Sequence, residues 1–191
     1  MTEEVTDVFV RERALAMVAT NIAPTPFLLL PFTLLVSSLL ANNLSAARLG
    51  WWVIAAVVAT ATTLLAMYRY YMRGDGRSTP RTTQLLIGVA LAAIGLLFGM
   101  GPWVASGEVA TSGATNGDTK DIALVMLFTL FPSTASAVGC IVTAGRRDMY
   151  LAFLVPLVAA SSWTMIADDD GRLRGLGVLA AFYGVSLVVL H

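Results

Sequence analysis

Asp168-Asp169-Asp170-Gly171 is the densest group of chemically capable residues in the chain. Carboxylate oxygens suit a hard divalent cation such as Ca²⁺ or Mg²⁺. The spacing matches no Ca²⁺ loop, however, and three adjacent aspartates before a glycine read more simply as a solvated turn. The single histidine is His191 and the single cysteine is Cys140. A histidine-based triad, a multi-histidine metal site and an intrachain disulfide are therefore excluded. Cys140 sits among small apolar neighbours and reads as a small buried hydrophobe. The one lysine, Lys120, lies in a polar stretch, and no Gly-rich phosphate loop is present. The sequence thus offers no catalytic residue, no metal site and no cofactor site. Nothing in it points to nucleic acid: the net charge is zero.

A second set of residues suits binding rather than catalysis. Asn21, Pro24, Pro26 and Pro31 cluster in one half of the first apolar run, and Pro132 and Pro156 fall in later runs. Proline removes a backbone hydrogen bond and kinks a helix. Kinks leave room inside a bundle, so a small ligand pocket lined by Asn21, Thr25, Ser133 and Thr134 is one reading. Structural kinks without a ligand are the other.

The elements that must carry these residues are set by composition. Of 191 residues, 57% are hydrophobic and 13% charged, against about 25% charged in soluble domains. Mean hydropathy is +0.77. Between Arg13 and Arg48, 34 residues pass without an ionisable side chain. Further runs without Asp, Glu, Lys, Arg or His are Leu49–Tyr68 (20), Thr82–Gly107 (26), Ile122–Gly145 (24), Met149–Ala167 (19) and Gly175–Leu190 (16). Crossing a bilayer takes about 20 apolar residues, and lipid forces them into helices. The sequence therefore predicts an all-α integral membrane protein of six transmembrane helices in three hairpins. The expected spans are 18–41, 49–71, 82–104, 122–144, 149–167 and 173–190. Residues 1–13 form a tail, and Val5–Ala19 reads as a short amphipathic lead-in helix. Asn42-Asn43 closes the first span and Ser45 is positioned to cap the second. The last run meets no cap or charged tail before His191, which raises the expectation that any effector domain lies beyond residue 191.

Orientation follows from the basic residues. One side carries Arg11, Arg13, Arg69, Arg73, Arg77, Arg81, Arg146 and Arg147; the other carries Arg48, Lys120, Arg172 and Arg174. The richer side is cytoplasmic by the positive-inside rule, which puts both termini inside. Arg69, Arg73, Arg77, Arg81, Arg146 and Arg147 act as topology anchors against anionic headgroups. Arg73-Gly74-Asp75, an adhesion tripeptide in other settings, then faces the cytoplasm. Trp51, Trp52, Trp103 and Trp163 fall at outer ends of spans, and Tyr68, Tyr70, Tyr71 and Tyr150 at inner ends, as interfacial rings do.

Small residues recur at helical spacing in two spans: Gly88, Ala92, Gly95 and Gly99 in the third, and Gly177, Ala181 and Gly184 in the sixth. Such faces let helices approach closely, either within one chain or across a homodimer.

The layout has a recognisable likeness. The second span exits in MYRYYMRGDGR, the third reads LLIGVALAAIGLLFGMGPW, and a two-arginine turn, GRRDMYLAFLVP, opens the fifth. From Arg11 to Leu190 the chain resembles the N-terminal membrane sensor regions of bacterial signalling proteins. In those, six helices precede a cytoplasmic GGDEF (diguanylate cyclase) or GGDEF–EAL domain, or a histidine kinase or nucleotide cyclase. The resemblance implies a sensory and anchoring module in the bacterial inner membrane, working as a homodimer through its parent protein. No GGDEF, EAL or kinase motif occurs in these residues. The rival expectation is a small multi-pass transporter or channel subunit.

Overall fold

The computed structural model describes residues 2–40, 45–72, 81–106, 139, 142–143, 146–167 and 171–190. Among them lie seven helices and no strand: α1 Thr2–Ile22, α2 Thr25–Leu40, α3 Ala46–Tyr71, α4 Arg81–Gly99, α5 Gly101–Ser106, α6 Arg147–Ile166 and α7 Gly171–Leu190. Four stretches are long and apolar enough to cross a membrane: Glu12–Ser38, Ala46–Tyr71, Arg81–Val104 and Arg147–Ile166. They match the first, second, third and fifth expected spans. The sixth is α7, whose apolar portion Gly177–Ser186 is shorter. The fourth, 122–144, lies outside the described residues except for Gly139, Val142 and Thr143.

Proline chemistry sets the first boundary. A lead-in helix ending near Ala19 is not what forms: α1 runs unbroken to Ile22, and the chain turns at Ala23-Pro24. A residue preceding proline is pushed away from helical geometry. The Ala23 N–H still donates to the Ala19 carbonyl (3.1 Å), and the Phe27 N–H donates to the Pro24 carbonyl (3.1 Å). Pro26 falls in the first turn of α2, where its missing N–H costs nothing. Leu15, Val18, Ala19 and Ile22 form the buried stripe of α1. At α3, Ser45 holds the N-cap position, but its hydroxyl makes no capping bond. Its carbonyl instead accepts the Leu49 N–H (3.0 Å).

The bundle is built around α4. Helix α3 runs antiparallel to it: the Trp52 Nε1–H donates to the Leu97 carbonyl (3.0 Å), and Arg48 to the Trp103 carbonyl (2.8 Å). Helix α6 runs parallel to it, because Gly88 lies opposite Ala152, Gly95 opposite Phe153, and Gly99 opposite Leu157 and Ala160. Helix α7 returns antiparallel, with Gly177 against Met165 and Ile166 and Gly184 against Val158. The bundle so has a tryptophan end, where Arg48, Trp103 and Trp163 line one cavity, and a tyrosine end, where Arg81 and Asp148 line another.

Glycine decides the central contact. A Cβ on Gly95 would collide with the Phe153 carbonyl oxygen, and one on Gly99 would sit 2.5 Å from that of Leu157. Gly95 and Gly99, and Gly177 and Gly184, thus meet neighbouring helices of the same chain. Most buried hydroxyls are satisfied within their own helix, while the buried hydroxyls of Ser37, Thr60 and Ser162 have no partner. Thr33, Thr63, Thr143 and Ser161 each donate to the carbonyl four residues back, at 2.7–2.9 Å. The outer surface is apolar: Phe27, Leu85, Trp163 and Phe182 are all more than two-thirds exposed. Water penalises so much exposed apolar area, whereas lipid does not.

Gly95→Val is expected to force α4 off α6 and to lower stability by about 3 kcal/mol or more, beyond ordinary overpacking. Gly88→Ala, which meets only the Ala152 Cβ at 3.9 Å, should be neutral. Thermal unfolding in detergent, followed by circular dichroism, separates the two.

Candidate functional site

The sequence nominates Asn21, Thr25, Ser133 and Thr134 as a pocket. Ser133 and Thr134 lie outside the described residues, as do Cys140, Asp168, Asp169 and Asp170. Asn21 is exposed on α1, and its amide donates to the Val142 carbonyl (3.3 Å). Its visible role is to tie α1 to a segment far along the chain. Thr25 is half-buried at the start of α2.

The anchors divide similarly. Arg73 and Arg77 lie outside the described residues. Arg69 is exposed near the end of α3, Arg81 is exposed at the first position of α4, and Arg147 is exposed at the first position of α6. Arg146 precedes α6 and donates from Nε to Asp148 (3.0 Å), with a second bond from its Nη2. This pair sits where an acidic side chain favours a helix N-terminus.

The aromatic belt splits by helix face. Trp51, Tyr68, Tyr71 and Trp163 are exposed, as interfacial rings should be. Trp52, Tyr70 and Tyr150 are buried, at 4%, 9% and 3% exposure. Trp52 is a core residue: its indole N–H spans to α4 through the Leu97 carbonyl. Period-based reading finds the depth of a ring in the membrane, but the side of the helix decides whether it meets lipid.

Among the described residues, a cavity opens at each end of the α4–α6 seam. The tyrosine-end cavity, about 520 Å³, is lined by Arg81, Gln84, Gly88, Ala92, Asp148 and Ala152. Gly88 and Ala92 thus border open space, while Gly95 and Gly99 close the seam beyond them. Its charges are mixed. The tryptophan-end cavity is larger, about 810 Å³, and is bordered by α4 and α6 with Arg48 and Trp103. Ligand pockets commonly enclose about 300–1,000 Å³.

Arg48 organises this larger cavity. It is part-buried in the first turn of α3 and donates to the Trp103 carbonyl, and its guanidinium carbon lies 5.3 Å from the centre of the Trp103 ring. Hydrogen bond and cation–π contact together hold the guanidinium plane. The α6 wall consists of Pro156, Ala159, Ala160, Trp163, Thr164 and Ala167, spaced as one helical face. Arg48 is the one ionisable group among the described residues of the lining.

Sequence reading found Arg48 and Trp103 but not their pairing. They are 55 positions apart, and no local spacing links them. The available signal was a lone cation at the end of one span and a tryptophan at the end of the next.

Among the described residues, no three His, Cys, Asp or Glu side chains come together as metal ligands. Comparisons with family models, curated proteins and solved structures find no match for this chain.

Trp52→Phe should cost about 1–3 kcal/mol, since it strands a buried carbonyl partner. Trp51→Phe, on the exposed face, should change melting in detergent by little.

Proposed function

We propose that this chain is a six-span sensory and anchoring module of a bacterial inner membrane, with both ends cytoplasmic. In this reading it passes an input at its tryptophan end to a cytoplasmic output domain. That domain is of the cyclic-di-GMP (GGDEF-type) or histidine kinase class, acting as a homodimer.

One observation carries the relay. The α6 segment from Pro156 to Ala167 presents one face to the larger cavity and another to α7. Pro156, Ala159, Ala160, Trp163 and Thr164 line the cavity; Val158, Met165 and Ile166 receive Gly177 and Gly184. Filling the cavity therefore pushes on the helix that seats the last one. Pro156 stands at the start of this segment and removes the bond its N–H would give the Ala152 carbonyl, leaving a soft point there. A stimulus shifts such a packing equilibrium only by binding the two arrangements unequally, and a cavity whose wall moves meets that condition.

The parallel run of α4 and α6 supports the span count. Helix α5 ends at Ser106 at the tryptophan end, and α6 begins at Arg147 at the tyrosine end. The 24 residues from Arg81 to Val104 extend about 36 Å at 1.5 Å each, enough for a hydrocarbon core of about 30 Å. Ser106 and Arg147 thus lie at opposite ends, which supports the expected span over 122–144. The eight-to-four arginine and lysine balance supports a cytoplasmic tyrosine end.

The transporter reading needs a path between the two cavities. The seam is closed there, where Gly95 and Gly99 meet the carbonyls of Phe153 and Leu157. Among the described residues no Asp, Glu, Lys, Arg or His is buried in the core, and such residues are the usual mark of ion coupling.

Two measurements test this. With an impermeant maleimide on intact cells, Thr115→Cys should label and Asp75→Cys should label only after permeabilisation; the reverse pattern inverts the topology. Ala159→Phe, which fills the cavity from its wall, should change cyclic-di-GMP level or autophosphorylation in cells at least two-fold. Neither output moving, at normal membrane level, would sink the relay.

A further inference from the structure

We propose that the outward face of α7 docks a second copy of this chain, through the paired hydroxyls of Tyr183 at the middle of the bilayer. The proposal rests on the six-span reading for the placement of α7 across the membrane, and it locates the homodimer contact which that reading invokes.

Depth sets the problem. Helix α7 lies along α6, with Gly184 against Val158 and Gly177 against Met165 and Ile166. Val158 stands near the middle of α6, which runs from Arg147 to Ile166. Tyr183 directly precedes Gly184 and shares that level. A hydrocarbon core about 30 Å thick then leaves about 15 Å to either edge. Tyrosine favours the membrane interface, where its polar edge stays wet. A hydroxyl left without a partner in hydrocarbon is costly. Yet Tyr183 is 55% exposed, and among the described residues its hydroxyl has no hydrogen-bond partner.

The surrounding face has the pattern of a helix–helix contact. Leu179, Phe182, Tyr183 and Ser186 stand at i, i+3, i+4 and i+7, which is one helical stripe. Leu179 and Phe182 are 65% and 73% exposed. Gly177 and Gly184 are turned to α6, so the stripe points away from the bundle of its own chain. The small residues of α7 are thus already occupied, and a second copy has to use this other face. Ser186 adds a second polar group. Its hydroxyl donates to the Phe182 carbonyl (2.9 Å), which leaves its oxygen able to accept.

The occupant follows from symmetry. Lipid tails offer no acceptor, and headgroups lie too far away. A second copy in the same membrane runs in the same direction, and a two-fold axis along the membrane normal sets like residues opposite each other at one depth. A hydroxyl is both donor and acceptor. One Tyr183 hydroxyl therefore donates to the other, and a Ser186 oxygen nearby is an acceptor for the second proton. A different membrane protein would need a polar group of its own at this level; a second copy brings one necessarily. Packing and polar bonds of this kind hold helices together where lipid is as apolar as the side chains.

The test uses the whole chain in phosphatidylcholine vesicles. Förster transfer between copies labelled at the N-terminus is followed as added lipid dilutes them. Dimers are expected. Tyr183→Phe keeps the ring and removes the hydroxyl, and it should weaken association about three- to ten-fold, as loss of interhelical hydrogen bonds in membranes does. In a Cys140→Ala background, oxidation with copper phenanthroline should crosslink Leu179→Cys into dimers. Val178→Cys, one residue away and also exposed, should crosslink far less, because random collision would not tell the two apart. Absence of transfer, the same dilution curve in wild type and Tyr183→Phe, or equal crosslinking of both cysteines would overturn the proposal. So would crosslinking of Leu179→Cys in cells to another protein in place of a second copy. The six-span reading fails by a different result: a water-soluble maleimide that labels Tyr183→Cys in membranes would put α7 outside the bilayer and remove both. No labelling together with no dimer removes this proposal alone.

Discussion

The close approach of α4 and α6 at Gly95 and Gly99 is the constraint on which the arrangement depends. The two glycines put the α4 backbone directly on the carbonyls of Phe153 and Leu157. Where the surroundings are lipid, burying a methyl group gains little, because lipid tails are as apolar as side chains. Helices then associate through dispersion contacts and short interhelical polar bonds. Glycine maximises both by removing the atom that keeps backbones apart. The same contact fixes direction: with α4 and α6 parallel, the remaining helices must pack around a pair that starts at one end.

Two consequences follow from that seam. It closes the middle of the α4–α6 interface and leaves a cavity at each end, with different charge. It also makes α6 a shared wall. One of its faces borders the larger cavity, another contacts the seam through Leu157, and a third holds Gly177 and Gly184 of α7. Packed interiors resist small continuous deformation, so a change on one face is carried to the others. Pro156 gives the segment a place to bend, and no charged group has to move through the core. The Arg146–Asp148 pair lies ahead of that bend, where it can hold the first turn of α6 in place.

Much of this was legible from the chain alone, for a physical reason. An ionisable side chain in lipid is costly, so charges mark the ends of spans, and the boundaries at Ala46, Arg81 and Arg147 lie within a few residues of those expected. Gly95, Gly99, Gly177 and Gly184 were legible as packing residues. Their partners were not, since the choice between Phe153 in the same chain and a second copy is tertiary. Trp52 shows the same limit. Its depth followed from its place in the span, but its burial depended on which face of α3 meets α4. The pocket of Asn21, Thr25, Ser133 and Thr134 was inferred from proline kinks. The cavity beside Arg48 instead arises where α3 begins and α4 ends, and only the folded chain joins Arg48 to Trp103. The lead-in helix failed to end near Ala19 because nothing there breaks it; the first breaker is Pro24.

The parallel, glycine-seated packing of α4 on α6 can be tested by a disulfide. An ideal Cβ on Gly88 lies 3.9 Å from the Ala152 Cβ, within the 3.5–4.5 Å typical of a disulfide. In a Cys140→Ala background, Gly88→Cys with Ala152→Cys should form an intrachain crosslink in membranes under mild oxidation, and Gly88→Cys with Thr164→Cys should not. Crosslinking of the second pair in place of the first would mean that α6 runs the other way, and the seam, both cavities and the seat of α7 would go with it.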